Sequence, residues 1–174
     1  DILDEKDMEG SITKILPRKN DLIRPAVANI DQALVVFAVT QPEPHFNLLD
    51  RFLVMMERKE IPTVLCFNKT DIAESPAITE LKEIYSGCGY PVIFTSAREE
   101  ENISQLKELL KGKTTAIAGP SGVGKSSLIN LLQSEVRMET GSISRKIARG
   151  KHTTRHSELI VLGEDSYIMD TPGF

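Results

Sequence analysis

The chain has 174 residues, 40% hydrophobic and 26% charged, with a formal net charge of −4. That balance suits one globular domain with a substantial core and excludes a uniformly basic surface that would coat nucleic acid. No apolar run approaches the ~20 residues needed to cross a bilayer, so no membrane partner is expected.

The start, DILDEKDMEG, is acidic and unlike a secretory signal. Cys66 lies in an apolar run and reads as a buried thiol; with Cys88 it makes two cysteines, too few for a zinc site, and a reducing cytoplasm is the expected setting. GSITKILPRKNDLIRP reads as an isolated strand and a basic, proline-punctuated connector, either an ordinary N-terminal extension or the tail of another domain. From Ile30 onward short apolar runs alternate with amphipathic ones. QALVVFAV (Gln32 to Val39) is almost continuously apolar, as a strand buried on both faces requires. Leu48, Leu49, Phe52, Leu53, Met55 and Met56 follow at helical spacing. The runs TVLCF (Thr63 to Phe67), PVIFT (Pro91 to Thr95), TTAIAG (Thr114 to Gly119) and SYIMD (Ser166 to Asp170) repeat the strand signal. Between them are helices after Ser75-Pro76, read as cap and first turn, and after Asn102. The fold class is α/β: a mostly parallel sheet with helices on both faces, the three-layer arrangement of P-loop NTPases.

The run Gly119, Pro120, Ser121, Gly122, Val123, Gly124, Lys125, Ser126 matches G-x-x-x-x-G-K-[ST] in full, between an expected strand and an expected helix. Glycines let consecutive N–H groups wrap phosphate oxygens, and the helix start adds its positive dipole end. Lys125 would reach the outer phosphates, the Ser126 hydroxyl would ligate Mg²⁺, and Ser127 completes the contact set.

Asn68, Lys69, Thr70 and Asp71 (NKTD) follow the strand TVLCF at its carboxyl end, where open α/β sheets bind ligands. Asp71 can accept from both the ring N–H and the exocyclic amine of guanine, which adenine does not offer. Asn68 can meet the base's outer edge or tie this loop to the phosphate loop, and the Lys69 stem can lie along the base. NKTD alone is also an ordinary polar turn, and an ATP-using P-loop enzyme is the rival that Asp71 discriminates. After PVIF, Ser96 and Ala97 offer backbone N–H groups to guanine O6.

Asp170-Thr-Pro-Gly173 fits D-x-x-G, with Asp170 holding Mg²⁺ through water and the Gly173 N–H meeting the γ-phosphate. A second sensor belongs in Gly150-Lys-His-Thr-Thr154, so Thr153 or Thr154, with Thr154 favoured, is the candidate ligand of Mg²⁺ and γ-phosphate. These threonines fall in Arg145 to His156, which holds five Lys/Arg, two His and no acid, either a solvated loop or a partner contact. Ras-type switches place a water-orienting glutamine after D-x-x-G; here Phe174 stands there and can orient nothing. His152 is the substitute candidate, or else a contact to a partner's phosphates. His45 and His156 read as ordinary polar positions.

The order (base reader, Thr-Ser-Ala, phosphate loop, sensor threonines, D-x-x-G) is a circular permutation of the usual GTPase order. With GPSGVGKSSLIN, RGKHTTRH, DTPGF and LIRPAVANIDQALVVFAV, it resembles the bacterial ribosome small subunit-dependent GTPase A family. That resemblance implies GTP and GDP as substrate and product, Mg²⁺, and a role in late maturation of the small (30S) ribosomal subunit. It also implies contact with that subunit and its rRNA, stimulation of hydrolysis by the subunit, and a cytoplasmic monomer. It further implies an OB-fold barrel before the GTPase domain and a zinc-binding domain after it. Residues 1–22 would be the barrel's tail and linker and 23–174 the permuted domain, with no zinc ligand in this chain. Permuted GTPases of large-subunit assembly share the order but typically carry Pro-Asn where Ser121-Gly122 stands. An RNA-binding assembly module with incidental hydrolysis is the other alternative, favoured by Phe174.

Overall fold

A computed structural model describes residues 2–4, 9–11, 14–23, 25–140, 158–163 and 165–170. The centre is a six-stranded sheet of order β7-β6-β5-β8-β10-β9, made of β5 (Gln32–Ala38), β6 (Thr63–Asn68), β7 (Val92–Phe94), β8 (Thr114–Ala118), β9 (Glu158–Gly163) and β10 (Ser166–Asp170). All neighbours run parallel except β9, which is antiparallel to β10. Every residue of β5 is buried because the strand lies inside the sheet with both faces covered, which is why its sequence is continuously apolar.

Alternate β5 residues serve opposite layers. Val35 and Phe37 join a cluster with Leu49, Phe52, Leu53 and Met56 of α1 (Phe46–Arg58) and Leu81 and Tyr85 of α2 (Ser75–Tyr85). Leu34, Val36 and Ala38 join Ile103, Leu106 and Leu110 of α3 (Ile103–Leu110) and Leu128, Ile129 and Leu132 of α4 (Lys125–Thr140). The chain winds outward through β6 and β7 with α1 and α2 on one face. It then returns through α3, on the other face, to β8 beside β5. The reversal of direction lies between β5 and β8, and the loops after these strands form the crevice where such sheets bind ligands.

Several local details differ from the sequence reading. The expected isolated strand is one of a pair, β1 (Ile2–Asp4) antiparallel to β2 (Glu9–Ser11), its partner hidden in an acidic run. β3 (Asp21–Leu22) pairs with β4 (Val27–Ala28), and Leu22 and Val27 are buried in the α1/α2 cluster. β9 was not expected: its buried Ile160 and Leu162 alternate with apolar but exposed Leu159 and Val161, which conceals the period of two. Ser75 is the first helical residue of α2, with Glu74 at the cap position and no side-chain cap. His45 caps α1, its Nδ1 accepting the Leu48 N–H at 3.4 Å.

Cys66 is a fully buried thiol, as read from its neighbours, and burial pushes its pKa up to about 12, while its hydrogen bond with the Thr95 hydroxyl pulls the other way. A thiol raised that far stays protonated, hence unreactive, at ordinary pH. A Cys88→Ser variant of the 174-residue chain is therefore expected to give no reaction with a disulfide reagent at pH 8 until it is denatured. Prompt labelling of the folded variant would contradict the burial of Cys66.

Candidate functional site

The phosphate loop leaves β8 at Gly119, which is buried and has φ +150°. A Cβ there would stand 2.0 Å from the Val36 carbonyl oxygen of β5, so only glycine lets the two backbones approach. Gly124 has φ +97°, and a Cβ on it would meet the Asn68 Nδ2 at 2.3 Å. Between them Val123 is 1% exposed and sits in the core cluster of α3 and α4, an apolar anchor in the middle of a polar loop. The first helical bond of α4 runs from the Leu128 N–H to the Gly124 carbonyl at 3.0 Å. The N–H groups of Lys125, Ser126 and Ser127 thus have no acceptor within the helix and are disposed for an anion.

The Lys125 ammonium donates to the carbonyls of Gly119 at 2.6 Å and Pro120 at 2.7 Å. Burial lowers its pKa, and the nearby Asp170 carboxylate opposes that shift. Asp170 ends β10, is 2% exposed, and is paired in register with Ile117 of β8, just before the loop. The buried Asp170 carboxylate near Lys125 and the exposed hydroxyl of the next residue, Ser126, are hard oxygen donors of the kind that fits Mg²⁺.

The NKTD segment leaves β6 next to this loop. Asn68, 1% exposed, donates from Nδ2 to the Val123 carbonyl at 2.9 Å. Its Oδ1 accepts the Thr95 hydroxyl and the Ala97 N–H, both at 3.1 Å. Of the two roles the sequence allows Asn68, the structure shows the tie between loops. The Cys66 thiol, 3.4 Å from Thr95 Oγ1, supplies the donor side of that hydroxyl's environment. The Ala97 N–H, expected to serve guanine O6, is engaged by Asn68, so a base oxygen there would share its hydrogen.

Lys69 adopts φ +70° and its ammonium donates to the Gln41 carbonyl, which draws the β5–α1 loop to the site. Asp71 is exposed, and its Oδ1 accepts the Ser96 hydroxyl at 2.7 Å. Ser96 in turn accepts the Glu99 N–H at 3.1 Å, so its hydrogen is directed at Asp71. The structure therefore brings Asn68, Lys69, Thr70, Asp71, Ser96, Ala97, the run from Gly119 to Ser127 and Asp170 to one end of the sheet. His152, Thr153, Thr154 and Gly173 lie outside the described residues. Sequence reasoning passed over the Val36 and Gln41 carbonyls and the Thr95 side chain. Backbone acceptors leave no residue-type signal, and Thr95 reads as the start of Thr-Ser-Ala, with nothing to mark its hydroxyl as a partner of Asn68.

A cavity of about 420 Å³ opens at the opposite, amino ends of the strands, beside Gln32, Thr63 and Tyr90. Several of its polar groups are paired with one another: Lys113 donates to Gln32 Oε1 and the Tyr90 hydroxyl to Glu57 Oε2.

Removing the Asn68 amide leaves the Val123 carbonyl and the Ala97 N–H without their buried partner. Asn68→Ala is expected to lower unfolding stability by about 2–4 kcal/mol. Denaturant unfolding measures this, and a loss below about 0.5 kcal/mol would contradict the tie.

The RsgA GTPase family model matches residues 15–174. Among curated proteins, "Small ribosomal subunit biogenesis GTPase RsgA" of Agathobacter rectalis is 60% identical over 99% of this chain and 57% of its own length. The protein of the same name from Alkaliphilus metalliredigens is 53% identical over 99% of this chain and 59% of its own. Of solved structures, YjeQ from Thermotoga maritima matches with a TM-score of 0.79 at 39% identity, covering 98% of this chain and 57% of that one. YloQ, described as a circularly permuted GTPase, matches with a TM-score of 0.72 at 36% identity, covering 98% and 54%. The chain thus spans little more than half the length of these relatives. Its fold is that of a circularly permuted GTPase, and the chain belongs to the RsgA GTPase family.

Proposed function

We propose that this chain is the nucleotide-binding domain of a GTP-hydrolysing factor in late maturation of the small (30S) ribosomal subunit. The observation that carries the reading is the Asn68 bond to Val123 at 2.9 Å, which makes one site of a guanine-reading loop and a phosphate loop lying in permuted order. The names of the relatives support the choice of the small subunit over the large.

Asp71, held by Ser96, selects guanine, while the N–H groups from Gly119 to Ser127 cradle the phosphates. Lys125 exchanges its two loop carbonyls for phosphate oxygens. Ser126, Asp170 and Thr154 (or Thr153) would hold Mg²⁺, which supplies charge neutralisation between the outer phosphates. The Gly173 N–H senses the γ-phosphate. His152, or a group from the ribosome, orients the attacking water. The basic run Arg145 to His156 meets rRNA. The protein works as a cytoplasmic monomer. Residues 1–22 belong with an OB-fold barrel and 23–174 with the GTPase domain, and zinc belongs to a domain beyond this chain.

The second reading, an RNA-binding module with incidental hydrolysis, is favoured by Phe174 at the water-orienting position. Phosphate release by the full-length protein with and without small subunits separates the two. Stimulation of at least tenfold is expected, and its absence would favour the second reading. His152→Ala is expected to cut the stimulated rate by about 10²–10⁴-fold; an unchanged rate would assign the water to a ribosomal group. Asp71→Asn is expected to weaken GTP binding on the order of 10²-fold or more while improving xanthosine triphosphate, whose second carbonyl accepts from the amide. An unaltered base preference would overturn the role of Asp71.

A further inference from the structure

The loop after β7 runs Ser96-Ala-Arg-Glu-Glu-Glu101-Asn102 and, besides the Ala97 bond to Asn68, touches the Thr70–Asp71 end of the NKTD turn twice. One contact is the Ser96 hydroxyl on Asp71 Oδ1 at 2.7 Å. The other is the Thr70 hydroxyl, which donates to Glu101 Oε2 at 2.9 Å. Ser96 and Glu101 are themselves paired through their backbones, Glu101 N–H to Ser96 O at 3.0 Å and Ser96 N–H to Glu101 O at 3.3 Å. Thr70 and Asp71 are adjacent in the chain, so the four residues close a ring of which the base-reading carboxylate is one link.

The backbone is arranged to present Glu101. Glu100 (φ +57°) and Asn102 (φ +59°) flank it in the left-handed region, which non-glycine residues adopt sparingly. Asn102 secures that turn by donating from Nδ2 to the Phe94 carbonyl at 2.8 Å. Without Glu101, the Thr70 side of the ring would hang on the single bond from the Thr70 N–H to the Thr95 carbonyl at 3.2 Å.

The geometry points to Glu101 as a positioning residue for guanine recognition, clipping the Thr70–Asp71 turn to the loop after β7 so that Asp71 meets the base at a fixed angle. The inference rests on the reading of Asp71 as the guanine selector. Glu101 is exposed, so its bond adds little to global stability; what it fixes is the orientation of the neighbouring carboxylate. A carboxylate rejects the wrong base through two directed hydrogen bonds, and a turn free to rock weakens both.

The test uses the full-length protein and compares dissociation constants of GDP and of inosine diphosphate, which lacks the exocyclic amine. Glu101→Ala is expected to weaken GDP about three- to tenfold, the scale of one exposed charge-assisted hydrogen bond, and inosine diphosphate less. The preference for GDP then falls. Glu101→Gln keeps an oxygen acceptor for the Thr70 hydroxyl and is expected to stay within about twofold of the parent. In a Thr70→Val background, Glu101→Ala is expected to add nothing further. An unchanged GDP preference in Glu101→Ala, or equal losses for both nucleotides with no rescue by Gln, would overturn the clip. If the parent protein itself bound GDP no tighter than inosine diphosphate, the guanine reading of Asp71 would fail, and the clip with it.

Discussion

The side-chain amide of Asn68 is the interaction on which the site depends. From one buried position it joins the phosphate loop through Val123 to the loop after β7 through Ala97 and Thr95. Turning the amide over would set its NH₂ against two donors and its oxygen against a carbonyl, so a single orientation is stable. The sheet places it: Phe67 lies opposite Phe94 in the parallel pairing of β6 and β7, which brings the next residues, Asn68 and Thr95, side by side at the strand ends. The site is thus closed by side-chain bonds between neighbouring strands rather than by chain order. That is a physical reason why a permuted connection can carry it.

The same register governs the glycines. β5 and β8 pair with Val35 opposite Ala118, which sets Gly119 against the Val36 carbonyl at a separation no Cβ could share. Gly124 is constrained by the Asn68 amide instead. Of the motif's glycines, these two answer to the packing of the sheet and the tie as much as to a ligand. Gly122, whose Cβ would meet only Pro42 Cδ at 3.9 Å, answers chiefly to its φ of +81°.

Much of this was legible in the residues. The strands β5, β6 and β8 are nearly continuous buried runs, which announce themselves, and β10 buries every second residue. The phosphate loop and NKTD were legible because their chemistry demands particular residues at fixed spacing. β9 was not, because exposed Leu159 and Val161 make an edge strand look like nothing regular. His45 was passed over because capping is a property of backbone angles that a lone histidine does not signal. Whether Asn68 faces the base or the loop depends on a contact 55 residues away along the chain, which spacing alone does not encode. Glu101 sits in a run of three glutamates, where nothing in the sequence distinguishes the one that bonds Thr70.

Lys125 has already shed much of its water inside the folded chain, resting on two carbonyls of its own loop. A phosphate that takes over this ammonium meets a cation already partly dehydrated during folding, so that part of the barrier to capture is removed beforehand. The displaced carbonyls of Gly119 and Pro120 must then find other donors. In the proposed function, nucleotide arrival and departure would therefore be coupled to a small rearrangement of the loop itself, and the rate of exchange would be in part a property of the protein's own hydrogen bonds.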